Sequence, residues 1–235
     1  MRRQTLKALF VSGAILCLSV SAQAEFAGKV SFGYQGTSGN SETTSVNAAT
    51  ELVWDLDRWK HTVGATALGA EDSGESTAEA YNLNAQSDLA LSDVSYLFGR
   101  LNWDKDKFSG YDEQTSQTVG YGRKIFDNDT QTWNLELGAG ARQSELRDGT
   151  SENETILRGA TDYTYRLSET SELGANLSVE SGEENTQAQW GVQAKARLIG
   201  DLALVASYRV RYNSDVPDGS EKRDTFTAIS LEYAF

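Results

Sequence analysis

The chain is short of the residues on which much protein chemistry is built. It has one cysteine, Cys17, one histidine, His61, and one proline, Pro217, in 235 residues. A single cysteine excludes an internal disulfide, and Cys17 lies in a leader expected to be removed, so the mature chain is read as having no thiol chemistry. Metal sites built on several His or Cys ligands are excluded by count. Pro217 falls in a turn-rich stretch, and no segment read as a strand has a proline to interrupt its ladder. Basic residues are scarce too. The 21 Lys and Arg face 34 Asp and Glu, a net charge of −13. That argues against nucleic acid as a partner, and against anionic surfaces held by bulk charge. Mean hydropathy is −0.48. Past residue 24 no apolar run approaches the ~20 residues of a membrane helix. Membrane-crossing helices are excluded. Crossing strands are not, because each carries a far weaker signal.

The N-terminus reads as a secretory leader. Arg2, Arg3 and Lys7 form a basic start, Ala8 to Val20 an apolar core, and Ala22-Gln23-Ala24 a cleavage site of the A-x-A type. Residues before Cys17 do not form a lipobox. Cleavage after Ala24 removes three basic and no acidic residues, so −13 becomes −16. The domain is read as residues 25–235.

That domain reads as strand after strand. Twelve segments alternate with a period of two, at about 26–36, 43–54, 59–69, 78–90, 95–105, 112–125, 132–143, 155–167, 172–181, 186–198, 202–212 and 223–235. If two weaker segments merge or drop out, the count is ten. The breaks at 55–58, 91–93, 126–130, 168–171 and 199–201 are short. Those near 37–42, 70–77, 106–111, 144–154, 182–185 and 213–222 are mostly longer, rich in Gly and Ser, and charged. Short turns on one side and long loops on the other are the asymmetry of an outer-membrane barrel.

One face of the strands is apolar, as in Phe26, Val30, Phe32 and Tyr34, or Leu173, Ala175, Leu177 and Val179. The other carries Lys29, Glu51, Asn82, Asn84, Gln86, Asp88, Asn134, Arg142, Asn176 and Gln193. Trp54, Trp59 and Trp133 flank the short turns; Tyr34, Trp103, Trp190 and Tyr212 lie nearer the long loops, like two aromatic girdles. A secreted soluble barrel or sandwich would show the same alternation with its apolar face turned in. The polar opposite face, the alternating breaks and the terminal aromatic favour the membrane. The stretch 224–235 resembles the closing strand of an outer-membrane β-barrel. In such proteins the terminal aromatic, here Phe235 with Tyr233, belongs to the signal read by the barrel-assembly machinery.

Thr37-Ser38-Gly39-Asn40-Ser41-Glu42-Thr43 after Gly33-Tyr34, the stretch Asp106 to Asp112, the step Gly120-Tyr121-Gly122 and the end Tyr233-Ala234-Phe235 together resemble the family of salt-induced outer-membrane proteins, a domain of unknown function. Each motif is short; their order and spacing carry the resemblance, which covers essentially the whole mature chain. It implies an outer-membrane antiparallel up-and-down β-barrel. It implies no agreed activity and transfers no catalytic residue.

Within that frame the chain is expected to be no enzyme. His61 has the parity of Trp59 and Val63 and is read as an interfacial residue without catalytic partners. Acidic groups at Glu71, Asp72 and Glu75, at Asp104, Asp106, Asp112 and Glu113, and at Glu183 and Glu184 have no EF-hand spacing and read as solvated loops. No metal and no cofactor is expected. The inward charges are the candidate site: Lys195, Arg197, Arg209 and Arg211 on strands 10 and 11, against Glu136, Glu172 and Glu180 on strands 7 and 9. Charge segregated across a lumen lines a pore and sets ion selectivity. Paired, the same residues fill the barrel instead, and no long loop is available as a constriction. The expected role is a narrow pore for ions or small solutes in envelope or salt stress. The alternative is a structural or adhesive protein whose acidic loops bind divalent ions or lipopolysaccharide. A barrel enzyme acting on lipid ranks below both. Outer-membrane lipid and lipopolysaccharide, and the assembly machinery, are the expected partners of a monomer.

Overall fold

The computed structural model describes residues 25–37, 43–72, 75–106, 111–146, 149–216 and 221–235. The leader, the cleavage after Ala24, Cys17 and Pro217 lie outside them. Twelve strands follow one another: β1 Glu25–Thr37, β2 Thr43–Leu56, β3 Trp59–Asp72, β4 Glu75–Ser92, β5 Ser95–Asp106, β6 Tyr111–Asp127, β7 Gln131–Leu146, β8 Ser151–Arg166, β9 Ser171–Ser181, β10 Thr186–Ile199, β11 Leu202–Asn213 and β12 Arg223–Ala234. Each pairs antiparallel with its chain neighbours, and β1 pairs with β12 to close the barrel. Closure pairs Lys29–Phe32 with Leu231–Ala234, edge groups that an open sheet would leave bare in lipid. The expected twelve strands are all present.

The strands run 11 to 18 residues, beyond the ~9–11 that a tilted strand needs to cross a bilayer. The surplus corrects the expected loops. The breaks near 70–77 and 144–154 are mostly strand, because β3 runs on to Asp72, β4 starts at Glu75, β7 ends at Leu146 and β8 starts at Ser151. Polar residues there keep the period of two, so the ladder continues past the apolar belt. The expected contrast in loop length shrinks accordingly. At the other end the turns are tight, as at Asp57-Arg58, where Asp57 takes φ 52°, a left-handed conformation Asp tolerates better than most residues.

The side chains divide as the alternation predicts. Leu137 (73% exposed), Val119, Leu157 and Ile229 face outward with most of the other large apolar residues. A soluble protein rarely leaves so continuous an apolar surface bare; around a closed barrel with a polar interior it is the lipid belt. The lower girdle is a chain of ring contacts. Tyr233, Phe235, Phe26 and Trp54 follow one another at centroid distances of 6.4, 6.1 and 5.5 Å across the β12–β1–β2 junction. Phe126, Trp133 and Tyr163 continue the pattern elsewhere on the same rim.

Candidate functional site: the barrel lumen

On β5, Tyr96, Phe98, Arg100, Asn102, Asp104 and Asp106 have inward parity, and cross-strand register carries that parity around the barrel. The inward wall is not uniform. On β6 and β7 it is stripped to glycine where the rings of β5 lie. A Cβ at Gly122 would run into the Tyr96 ring, and one at Gly138 would stand 3.0 Å from Phe98. The absent side chains let the two rings lie flat and leave space above them for longer polar groups.

A charged network fills that space. Glu136 Oε1 accepts from Gln86 Nε2 at 2.8 Å and from Tyr96 Oη at 3.1 Å, while its Oε2 accepts from Arg158 Nη1 at 2.7 Å. Arg158 also lies 3.9 Å from Glu180 and stacks 5.6 Å above the Phe98 ring. Above it Arg142, 1% exposed, donates to Glu154 Oε1 through Nε and Nη2 at 2.9 and 2.6 Å. Buried charges need this kind of mutual satisfaction.

The expected segregation of charge is therefore corrected. Glu136 and Glu180 are neutralised on their own wall, because Arg158 on β8 stands between the acids of β7 and β9 and Arg142 on β7 approaches Glu180 from the same side. Arg211 is not free to line a basic wall. It reaches β5, halfway round the twelve-strand barrel, to Asp106 Oδ2 at 3.3 Å and Asp104 Oδ1 at 3.7 Å. Lys195 Nζ meets Glu232 Oε1 at 2.6 Å. Glu172 and Arg197 join Arg166 and Lys195 around a cavity of about 400 Å³ at the short-turn end. Asp104 and Asp106, grouped by the sequence with loop acids, point inward, whereas Asp112 and Glu113 lie 3.5 and 3.9 Å from Lys105. Among the described residues no three His, Cys, Asp or Glu converge to hold a metal ion.

The mouth at the long-loop end is narrowed without a long loop. The four-residue turn Gly182–Asn185 folds onto the lumen. Glu154 Oε2 accepts from the backbone N–H of Glu184 at 3.0 Å, and the Asn185 carbonyl accepts from Arg142. The side chain of Asn185, 2% exposed, donates to Asn213 and accepts from Ser214 Oγ and the Asp215 N–H. Below this cap lies the main cavity, about 700 Å³. Its walls extend from Lys60, Asp88 and Asn134 near the short turns to Asp106, Gln187 and Asn213 near the cap. Eight carboxylates and five basic side chains line it, Glu113 standing at the rim.

His61 points outward, as its parity implies. It stacks on Trp59 at 5.8 Å, and its Nδ1 lies 2.9 Å from Ser87 Oγ on the facing strand. The sequence missed this serine because the pair arises only from the β3–β4 register. A serine beside an imidazole is half of a hydrolytic pair, but acyl transfer also needs free N–H donors for an oxyanion. The paired β3–β4 ladder spends its N–H groups on itself.

The sequence of residues 30–235 matches the family described as "Protein of unknown function, DUF481". The uncharacterized protein YdiY of Escherichia coli (strain K12) is 28% identical over 215 residues, covering 91% of this chain and 85% of that one. Among solved structures, the COG4313 outer membrane channel from Pseudomonas putida F1 superimposes with a TM-score of 0.54 at 13% identity, covering 92% of this chain and 97% of that one. At that identity the likeness is one of fold. With the match spanning nearly all of the barrel, the chain belongs to the DUF481 family.

Proposed function

We propose that this protein is a narrow, water-filled passage for ions and small polar solutes across the outer membrane. The carrying observation is the main cavity, which runs from one rim toward the other behind an apolar outer belt and is lined almost wholly by polar and charged side chains. Polar lining in a lipid-spanning barrel is costly unless water or paired charge satisfies it. The excess of carboxylates over bases in that lining favours cations. The Asn185 cap and the Arg211 bridge to β5 narrow the path, so the expected conductance is small. The same proposal has the chain exported on residues 1–24, cut after Ala24, folded by the assembly machinery through Tyr233 and Phe235, and working as a monomer in envelope or salt stress. Recording from refolded protein in planar bilayers tests the passage. Discrete small steps are expected, and a silent bilayer at all voltages and salt concentrations would refute it.

A further inference from the structure

The ladder that closes the barrel stops partway up. β1 and β12 pair at Lys29–Ala234, Val30–Tyr233, Ser31–Glu232 and Phe32–Leu231, and below these Gly28 and Phe235 exchange backbone hydrogen bonds of 2.8 and 2.9 Å. The register would continue as Gly33–Ser230 and Tyr34–Ile229, yet no pairing forms there, although β1 runs to Thr37 and β12 begins at Arg223. Every other neighbouring pair is joined over at least ten register positions. Above Phe32 the last strand leans to the lumen side of the first. The Ile229 carbonyl and Ser230 Oγ occupy the space a side chain at Gly33 would need. A side-chain bond ties it to β2 there: Asn47 Nδ2 donates past Gly33 to Ser230 Oγ at 2.8 Å.

This break lies at membrane depth, since Ile229 and Leu231 beside it are 63% and 49% exposed members of the apolar belt. Unpaired backbone at that depth is tolerated where it lines a cavity rather than lipid. A cavity is there. About 310 Å³ in volume, it is bounded by Leu68, Val205, Phe226, Ala228 and Arg209 among others. It is the more apolar part of the lumen and within the ~300–1,000 Å³ of small-molecule sites; Leu68, Val205, Phe226 and Ala228 give it an apolar side, and the rest of its wall carries polar and charged groups such as Asn47, Glu51 and Ser230. Arg209 stands between it and the main cavity. Where Arg211 is taken by Asp104 and Asp106, the guanidinium of Arg209 makes no hydrogen bond or ion pair with the described residues.

We infer that the unpaired upper part of the β1–β12 seam is a lateral portal. It admits a single-chain anionic amphiphile of fatty-acid type between the bilayer and this cavity, with the head on Arg209 and the tail against Leu68, Val205 and Phe226. A route opening sideways into lipid selects molecules that already partition there. A short apolar wall ending in an uncommitted guanidinium selects one tail and one negative head. The inference goes beyond the ion passage and does not require it.

Dansyl-labelled undecanoate is a suitable probe, added to the refolded full barrel in nanodiscs. Saturable binding is expected, weakened at least tenfold by Arg209→Gln. The outward positions next in register, Tyr34→Cys and Ile229→Cys, allow the seam to be closed by oxidation. Closure should slow probe loading from vesicles at least tenfold, reduction should restore it, and ion conductance should be the same in both forms. Absence of saturable binding, equal affinity in Arg209→Gln, or equal loading through the closed seam would overturn the portal. A silent bilayer with the binding and gating intact would instead overturn only the ion passage.

Discussion

Glu136 accepts hydrogen bonds from side chains on three different strands, and one of its donors, Arg158, also lies 3.9 Å from Glu180, as Arg142 does. Removing Arg158 leaves Glu136 buried with its charge uncompensated, and such a loss costs about 3–5 kcal/mol. Arg158→Ala should therefore lower the midpoint of urea unfolding in lipid vesicles far more than Arg197→Ala, whose side chain stands at the open short-turn mouth. The double variant Arg158→Leu/Glu136→Leu should recover most of the loss, since replacing both partners removes the orphan charge. Equal effects of Arg158→Ala and Arg197→Ala would show that the network is not what braces this wall. At this scale the sequence was legible in part. Parity alone turned Glu136, Glu172, Glu180, Lys195, Arg197, Arg209 and Arg211 inward. It could not say which acid meets which base, because that depends on register and on reach across the lumen. Arg158 and Glu154 give no such signal, because each reads as one charge in a mixed strand until β7 and β9 are laid beside it.

Elements gain their meaning from where they stop. The turn Gly182–Asn185 has the four residues expected from the sequence, and it is pinned by Arg142, Glu154, Asn213 and Ser214. A short turn can cap a barrel because its backbone groups find charged partners on the wall below. Asn185→Ala removes a buried hub and leaves its partners unmet, a cost of about 1–3 kcal/mol. It should also free the turn from the mouth, raising unit conductance in planar bilayers while the barrel still forms. Unchanged conductance would mean that the cap does not narrow the path. The strand count was readable because every strand keeps its period of two. The ends were not, because polar residues on both faces beyond the belt look alike whether they sit in a ladder or a loop. Asp72 and Glu75 pair across β3 and β4 for this reason.

Taken whole, the molecule is an inside-out protein, apolar toward its surroundings and charged within. The same alternation would serve a soluble barrel turned the other way. Closure in register, with rings girdling the junction at Phe26, Trp54 and Phe235, is what gives the faces their direction. The central claim is that the lumen is the conducting path and the outer face is not. Neighbouring residues on β4 separate the two, since Asn84 lines the main cavity and Leu83, 52% exposed, faces out. The most direct measurement is single-channel current through Asn84→Cys and Leu83→Cys barrels exposed to a charged, water-soluble methanethiosulfonate. The current through Asn84→Cys should fall in a step as the lumen thiol is modified, while that through Leu83→Cys stays constant. A constant current through Asn84→Cys despite complete modification, or a block of Leu83→Cys, would contradict the account.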